Sequence, residues 1–150
     1  MKLALWVRLL GMSALITYSS LTISAPNTIK IGEINSYKAQ PAFLEPYKKG
    51  MELAIDQINA KGGINGQKLE LIIRDDNANP GDAVRAAEEL LVREKVDVLA
   101  GTFLSNIGLA VADFAKQKKV FFLASEPLTD KIVWQNGNEY TFRLRTSTYM

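Results

Sequence analysis

Residues 47–76 read YKKGMELAIDQINAKGGINGQKLELIIRDD, and the change of period inside this stretch decides the fold. Tyr47, Met51, Ile55 and Ile58 recur at helical spacing, with Leu44 one turn earlier on the same stripe. Gly62, Gly63, Asn65 and Gly66 stop the helix and turn the chain. Leu69, Leu71 and Ile73 then alternate as strand residues do. Helix, glycine turn and strand in that order are half of a βαβ crossover.

The pattern continues outward in both directions. Upstream, Ile29 and Ile31 alternate and Ile34 follows, giving a first strand and then a loop over residues 36–41. Downstream, Asn79 and Pro80 read as N-cap and first helical residue, with Asp82 near the positive helix end. Val84, Ala87 and Leu91 supply an apolar helix face to about Arg93. A third strand is expected over residues 96–100, ending at Gly101, and a third helix on Ile107, Ala110, Val111 and Phe114. Residues 120–124 read as a fourth strand, and Tyr140, Phe142 and Leu144 as a fifth alternating segment.

Strands separated by helices at this interval are joined by right-handed crossovers that put helices on both faces of a mostly parallel sheet. The expected class is therefore α/β, doubly wound, with strand order 2-1-3-4-5. In that order the chain reverses between strands 1 and 3, and ligands bind beyond the carboxyl ends at the reversal. The loops there are residues 36–43 and 101–106, with residues 125–129 beside them.

Composition narrows the chemistry. The 150 residues contain neither histidine nor cysteine, which removes His-dependent nucleophilic triads, thiolate metal sites, haem attachment and disulfides. The usual proton shuttle near neutral pH is missing, so no enzyme, no metal and no cofactor are expected. Lys2 and Arg8 are the only charges before Lys30, and residues 9–23 are mostly apolar and end at Ile23, Ser24 and Ala25. This is the pattern of a cleaved signal peptide over residues 1–25, with cleavage after Ser24 or Ala25. Ser13, Thr17, Ser19, Ser20 and Thr22 interrupt the run and argue against a membrane anchor. The mature chain is then a soluble periplasmic protein with balanced charge, which gives no electrostatic case for nucleic acid.

The loop Gly101, Thr102, Phe103, Leu104, Ser105, Asn106 is the most informative of the three. Gly101 permits a sharp exit from the strand. Ser105 and Asn106 lie where the next helix begins, a place that suits a ligand carboxylate but equally suits a plain helix cap. Thr102 offers a second hydroxyl, and Phe103 either packs on an apolar ligand body or joins the core. Ser36, Tyr37 and Lys38 approach from the loop after strand 1, Lys38 as a counterion or a solvated lysine. Beyond strand 4, Glu126 holds an ammonium or a ligand hydroxyl, or Ser125 and Glu126 open a short helix with Pro127 in its first turn.

Residues 29–35, 47–67, 69–76, 101–106 and 140–145 together resemble the periplasmic substrate-binding proteins of branched-chain amino acid type ABC importers. The type I periplasmic-binding fold, leucine-binding-protein-like, is thereby implied, with Ser105 contributing a hydroxyl to a ligand carboxylate. The resemblance implies a solute-binding component that delivers an amino acid or an aromatic or apolar organic acid to an inner-membrane permease, with a periplasmic ligand sensor as the alternative. It further implies two lobes, of which residues 26–150 supply an incomplete N-terminal one, so the second is expected to be absent. A receiver domain is disfavoured because Asp75 and Asp76 end strand 2 rather than strands 1 and 3. A dinucleotide site is disfavoured because Gly32 is followed by Glu33, Ile34 and Asn35 rather than by a glycine-rich turn.

Overall fold

The computed structural model describes residues 28–148, so the signal-peptide expectation at residues 1–25 lies outside the described residues. Five strands form one sheet: β1 Ile29–Asn35, β2 Leu69–Asp75, β3 Val98–Gly101, β4 Phe122–Ala124 and β5 Thr141–Arg143. Their order is β2-β1-β3-β4-β5 and every neighbouring pair is parallel. This is the expected doubly wound order. The helices are α1 Pro41–Ala60, α2 Pro80–Glu89 and α3 Ser105–Lys118.

The turn from α1 to β2 follows from its residues. Asn59 clamps the start of β2 from both sides, accepting from the Leu69 N–H at 2.7 Å and donating to the Leu69 carbonyl at 2.8 Å. Gly63 has φ 80°, and a Cβ there would lie 1.9 Å from the Gln67 carbonyl oxygen. Only glycine fits. Asn79 caps α2 as expected, its Oδ1 accepting from Gly81 N and Asp82 N at 2.8 and 3.1 Å with Pro80 following.

Two strands begin two residues later than the apolar runs suggest. Helix α2 runs into a π turn, Leu90–Glu94, after which Lys95 takes a left-handed conformation and Val96 N returns to the Leu90 carbonyl. Helix α3 ends the same way, with Lys119 left-handed and Val120 N on the Ala115 carbonyl. Val96 and Val120 are therefore buried core residues that close helices rather than pair in the sheet. Residues 125–127 also differ from expectation, because no helix starts there. The short helical turn is Asp130–Ile132, capped by Thr129 Oγ1.

The main core lies between the sheet and α2 with α3. Ile34, Leu99, Phe122 and Ala124 meet Ala83, Ala86, Ala87 and Leu90 of the α2 segment and Ile107, Val111 and Ala115 of α3. Small residues let the backbones approach: a Cβ on Gly32 would come within 3.0 to 3.2 Å of the Val96 and Leu90 side chains. On the opposite face α1 buries Leu44 and half-buries Met51, Ile55 and Ile58. There Phe121 and Phe142 stack on each other, 5.2 Å between centroids, while remaining substantially exposed.

Candidate functional site

The reversal of strand order lies between β1 and β3, and the backbone there is specialised. Gly101 ends β3 at φ 110°, where a Cβ would sit 2.3 Å from the Ile34 carbonyl oxygen and 2.7 Å from Glu33 Oε1. Thr102 follows at φ 68°, a left-handed conformation that is costly for a β-branched residue. Its N–H is held by the Ile34 carbonyl at 2.7 Å, its side chain is fully buried, and its Oγ1 has no hydrogen-bond partner. Strained backbone and an unpaired buried hydroxyl thus coincide at the point where α/β sheets open to ligands.

Next to this point is a cleft of about 420 Å³, lined by Phe43, Leu44, Phe103, Ser125, Glu126, Leu144 and Arg145. Phe43, in the first turn of α1, stacks against Phe103 with centroids 5.6 Å apart and planes 28° apart. Ser125 accepts at Oγ from the Tyr47 hydroxyl at 3.0 Å, which ties α1 to the loop after β4. Glu126 pairs with Arg145 at 2.9 Å across the start of the segment that follows β5. A cleft with an aromatic wall and a hydroxyl, a carboxylate and a guanidinium at its border can hold an apolar body and orient a polar or charged group.

Three residues singled out in the sequence, Phe103, Ser125 and Glu126, meet in this cleft. The others are placed elsewhere. Ser105 is the first residue of α3, the N-cap position falls on Leu104, and no side chain caps the helix. Ser105 lines a second hollow of about 260 Å³ with Thr129, Asp130, Lys131, Gln135 and Thr148. Asn106 is exposed beside it. Ser36 is fully buried and donates to Asp76 Oδ1 at 2.6 Å. Lys38 turns toward β2, where its N–H reaches Asp75 Oδ2 at 2.9 Å and its Nζ reaches Asn77 Oδ1 at 3.2 Å, both exposed to solvent. Tyr37 donates its hydroxyl to Glu33 Oε2 at 2.7 Å.

Sequence reading placed Phe43 in a loop at the reversal without singling it out, and missed Tyr47, Arg145 and Glu33 as members of this region. Tyr47 was legible as part of the α1 stripe, but nothing local shows that its hydroxyl reaches Ser125. Burial raises Glu33 from 4.5 to about 8, against the opposing bonds from Tyr37 and Asn35 and with smaller contributions from Asp76 and Glu126. Burial likewise pushes Tyr47 up to about 12 and raises Asp76, while Tyr37 is raised by burial and then by the charge of Glu33. Both tyrosines are therefore hydrogen-bond donors throughout the neutral range. Among the described residues no group of three or more acidic side chains is arranged to hold a metal ion.

A parallel sheet flanked by helices, with a cleft beyond its carboxyl ends, defines an α/β ligand-binding lobe of the type I periplasmic-binding architecture. Residues 28–150 match the periplasmic binding protein family, and the chain belongs to it. An amino acid binding protein of Pseudomonas aeruginosa is 40% identical over 106 residues, covering 71% of this chain and 28% of that protein. Among solved structures, the branched-chain amino acid transporter substrate-binding protein LivJ of Streptococcus pneumoniae, in complex with isoleucine, aligns with TM-score 0.74 and 27% identity over 81% of this chain and 34% of its own. A solute-binding protein of an ABC transporter from Rhodopseudomonas palustris, in complex with 3,4-dihydroxybenzoic acid, aligns with TM-score 0.72 and 30% identity over 80% of this chain and 32% of its own. The chain thus spans about a third or less of the relatives it matches. No helix among the described residues is long and apolar enough to cross a membrane.

Proposed function

We propose that this chain forms a ligand-binding lobe of the solute-binding component of an ABC importer, exported through residues 1–25 and working in the periplasm with an inner-membrane permease. The ligand is a small carboxylate-bearing molecule with an apolar or aromatic body. The observation that carries this reading is the Phe43–Phe103 slot bordered by Ser125 and the Glu126–Arg145 pair at the strand-order reversal. The stacked pair presents an apolar wall against which a flat or branched body can pack, and Arg145 offers a bidentate partner to a carboxylate if it leaves Glu126.

Related proteins with isoleucine and with 3,4-dihydroxybenzoic acid bound support both branches of this ligand class. The aromatic slot favours the aromatic acid. A binding lobe of this kind has no need of covalent catalysis, in keeping with a chain that lacks histidine and cysteine. Isothermal titration of the chain with 3,4-dihydroxybenzoate, L-leucine and L-isoleucine tests the reading. Binding of the aromatic acid in preference to the amino acids is expected, and it should weaken in Phe43→Ala. Binding of neither class overturns the ligand assignment, and binding of the amino acids alone overturns the aromatic preference.

A further inference from the structure

Among the described residues that line the cleft, Glu126 and Arg145 alone carry a charge, and they are paired with each other. Arg145 Nη1 donates to Glu126 Oε2 at 2.9 Å. The cation that a ligand carboxylate needs is thus already neutralised by the protein. Ser125, also at the border, is neutral and accepts from the Tyr47 hydroxyl at 3.0 Å, so it cannot take over the charge of Arg145.

The two partners differ in their access to water. The Arg145 side chain is 46% exposed, whereas that of Glu126 is 20% exposed. An ion pair this open to solvent costs little to rearrange, and Arg145, on the segment after β5, is the half that water or a ligand anion reaches more easily. A guanidinium has five N–H donors and the pair shows one bond, which leaves donors for an incoming carboxylate. Whether Arg145 swings away or bridges both anions, a ligand with only a carboxylate leaves one uncompensated negative charge beside the less hydrated Glu126. A ligand that also presents a hydrogen-bond donor to Glu126 reduces that penalty, and one that presents an ammonium cancels the charge.

We propose that Glu126 is a specificity-determining residue of the cleft: it competes with ligand carboxylates for Arg145, so that an acid binds well only when it also carries a group that donates to Glu126. This inference rests on the binding-lobe reading and narrows its ligand class. Plain acids such as benzoate are rejected, and hydroxylated or amino-bearing acids with the same body are taken.

The test is isothermal titration of the full chain, at physiological ionic strength, with two pairs of probes that share body and carboxylate and differ in the donor. One pair is benzoate and 3,4-dihydroxybenzoate, the other hydrocinnamate and L-phenylalanine. In the parent, the donor-bearing member of at least one pair is expected to bind at least tenfold more tightly. Glu126→Gln removes the charge but keeps an acceptor for Arg145. It should raise affinity for the plain acids at least threefold and narrow the preference by that factor or more, while Glu126→Asp, which keeps the charge, should keep the preference. A role confined to tying the segment after β5 to the loop after β4 would move both members of a pair together, so equal shifts in Glu126→Gln overturn the proposal. Plain acids that match their partners in both pairs overturn it as well, as does a preference lost equally in Glu126→Gln and Glu126→Asp. In each of these cases the ligand reading stands. Binding of no probe, by the parent or by either variant, overturns the ligand reading and this inference with it.

Discussion

The two sides of the strand-order reversal differ in how far their polar groups reach open space. On the β2 side, Ser36, Asp75, Asp76, Asn77 and Lys38 bond to one another, so the loop after β1 is locked to the loop after β2. On the β4 side, Phe43, Phe103, Ser125, Glu126 and Arg145 border open space; an unpaired buried oxygen occurs on each side, Thr102 Oγ1 here and Asp76 Oδ2 there. Hydroxyls and charges on one strand end are tied within the scaffold, and on the next the Tyr47–Ser125 and Glu126–Arg145 pairs border an open cleft. Residue type alone does not distinguish these roles; the partner across the reversal does.

The hinge between the two sides is Gly101, and it should be the most sensitive position. Gly101→Ala places a methyl group 2.3 Å from the Ile34 carbonyl oxygen at a positive φ, so the strand end must shift. Denaturant unfolding should show a loss of about 3 kcal/mol or more. A loss below about 1 kcal/mol would mean that the β1–β3 contact relaxes freely, and that the locked side does not set the position of the open one.

The pH dependence of stability ranks next. Glu33 has a folded-state pKa raised from 4.5 to about 8, so the folded protein keeps a proton that the unfolded chain gives up. Its contribution is fully present below pH 4.5 and is lost as pH rises toward 8. Linkage sets the size at about 3 kcal/mol between pH 4.5 and 7, as an order of magnitude. Glu33→Gln should remove this slope, leaving a variant more stable than the parent above neutrality. Equal slopes in both proteins would show that Glu33 finds a compensating partner when it ionises.

Breaking the locked side should cost stability rather than affinity. Asp76→Ala removes the acceptor of Ser36 Oγ at 2.6 Å and of Ala78 N at 2.8 Å, leaving a buried hydroxyl unpaired. The expected loss is about 2 kcal/mol in unfolding free energy, with ligand affinity changed less than threefold. Phe43→Ala should do the reverse. Phe43 is 64% exposed, so unfolding should change by less than about 1 kcal/mol, while affinity for an aromatic acid falls roughly tenfold through the lost stacking partner. If both variants moved stability and affinity in proportion, the division between scaffold side and ligand side would fail.

Much of the scaffold was legible because its signals are periodic and local. The α1 stripe, the glycine turn at residues 62–66 and the Asn79–Pro80 cap each act within a few residues, and alternation in β1 and β2 fixes which residues face which layer. The starts of β3 and β4 were not legible, because lysines at 95 and 119 adopt the left-handed conformation usually signalled by glycine or asparagine. The cleft was legible only in part. Phe103, Ser125 and Glu126 lie on loops that the strand order brings together, whereas Arg145 joins through a partner 19 residues away and Phe43 looked like a loop residue ahead of the Leu44 stripe. Glu33 was passed over because one acidic residue within an apolar strand carries no period of its own.

Lys38 offers the smallest effect and a sharp discrimination. As a positive residue in the loop after β1 it is a natural counterion for a ligand carboxylate, and sequence alone left that role open. In the structure its backbone N–H bonds to Asp75 and its ammonium to the Asn77 amide oxygen, on the side of the reversal away from Phe43 and Phe103. Replacing the side chain leaves the backbone bond in place and removes only an exposed contact. Lys38→Ala should therefore change unfolding free energy by no more than about 0.5 kcal/mol and leave the affinity for carboxylate probes within a factor of two at physiological ionic strength. Arg145→Ala, measured beside it, should lower that affinity by tenfold or more, because its guanidinium borders the slot. A larger loss in Lys38→Ala than in Arg145→Ala would place the carboxylate on the β2 side and reverse the assignment of the two regions.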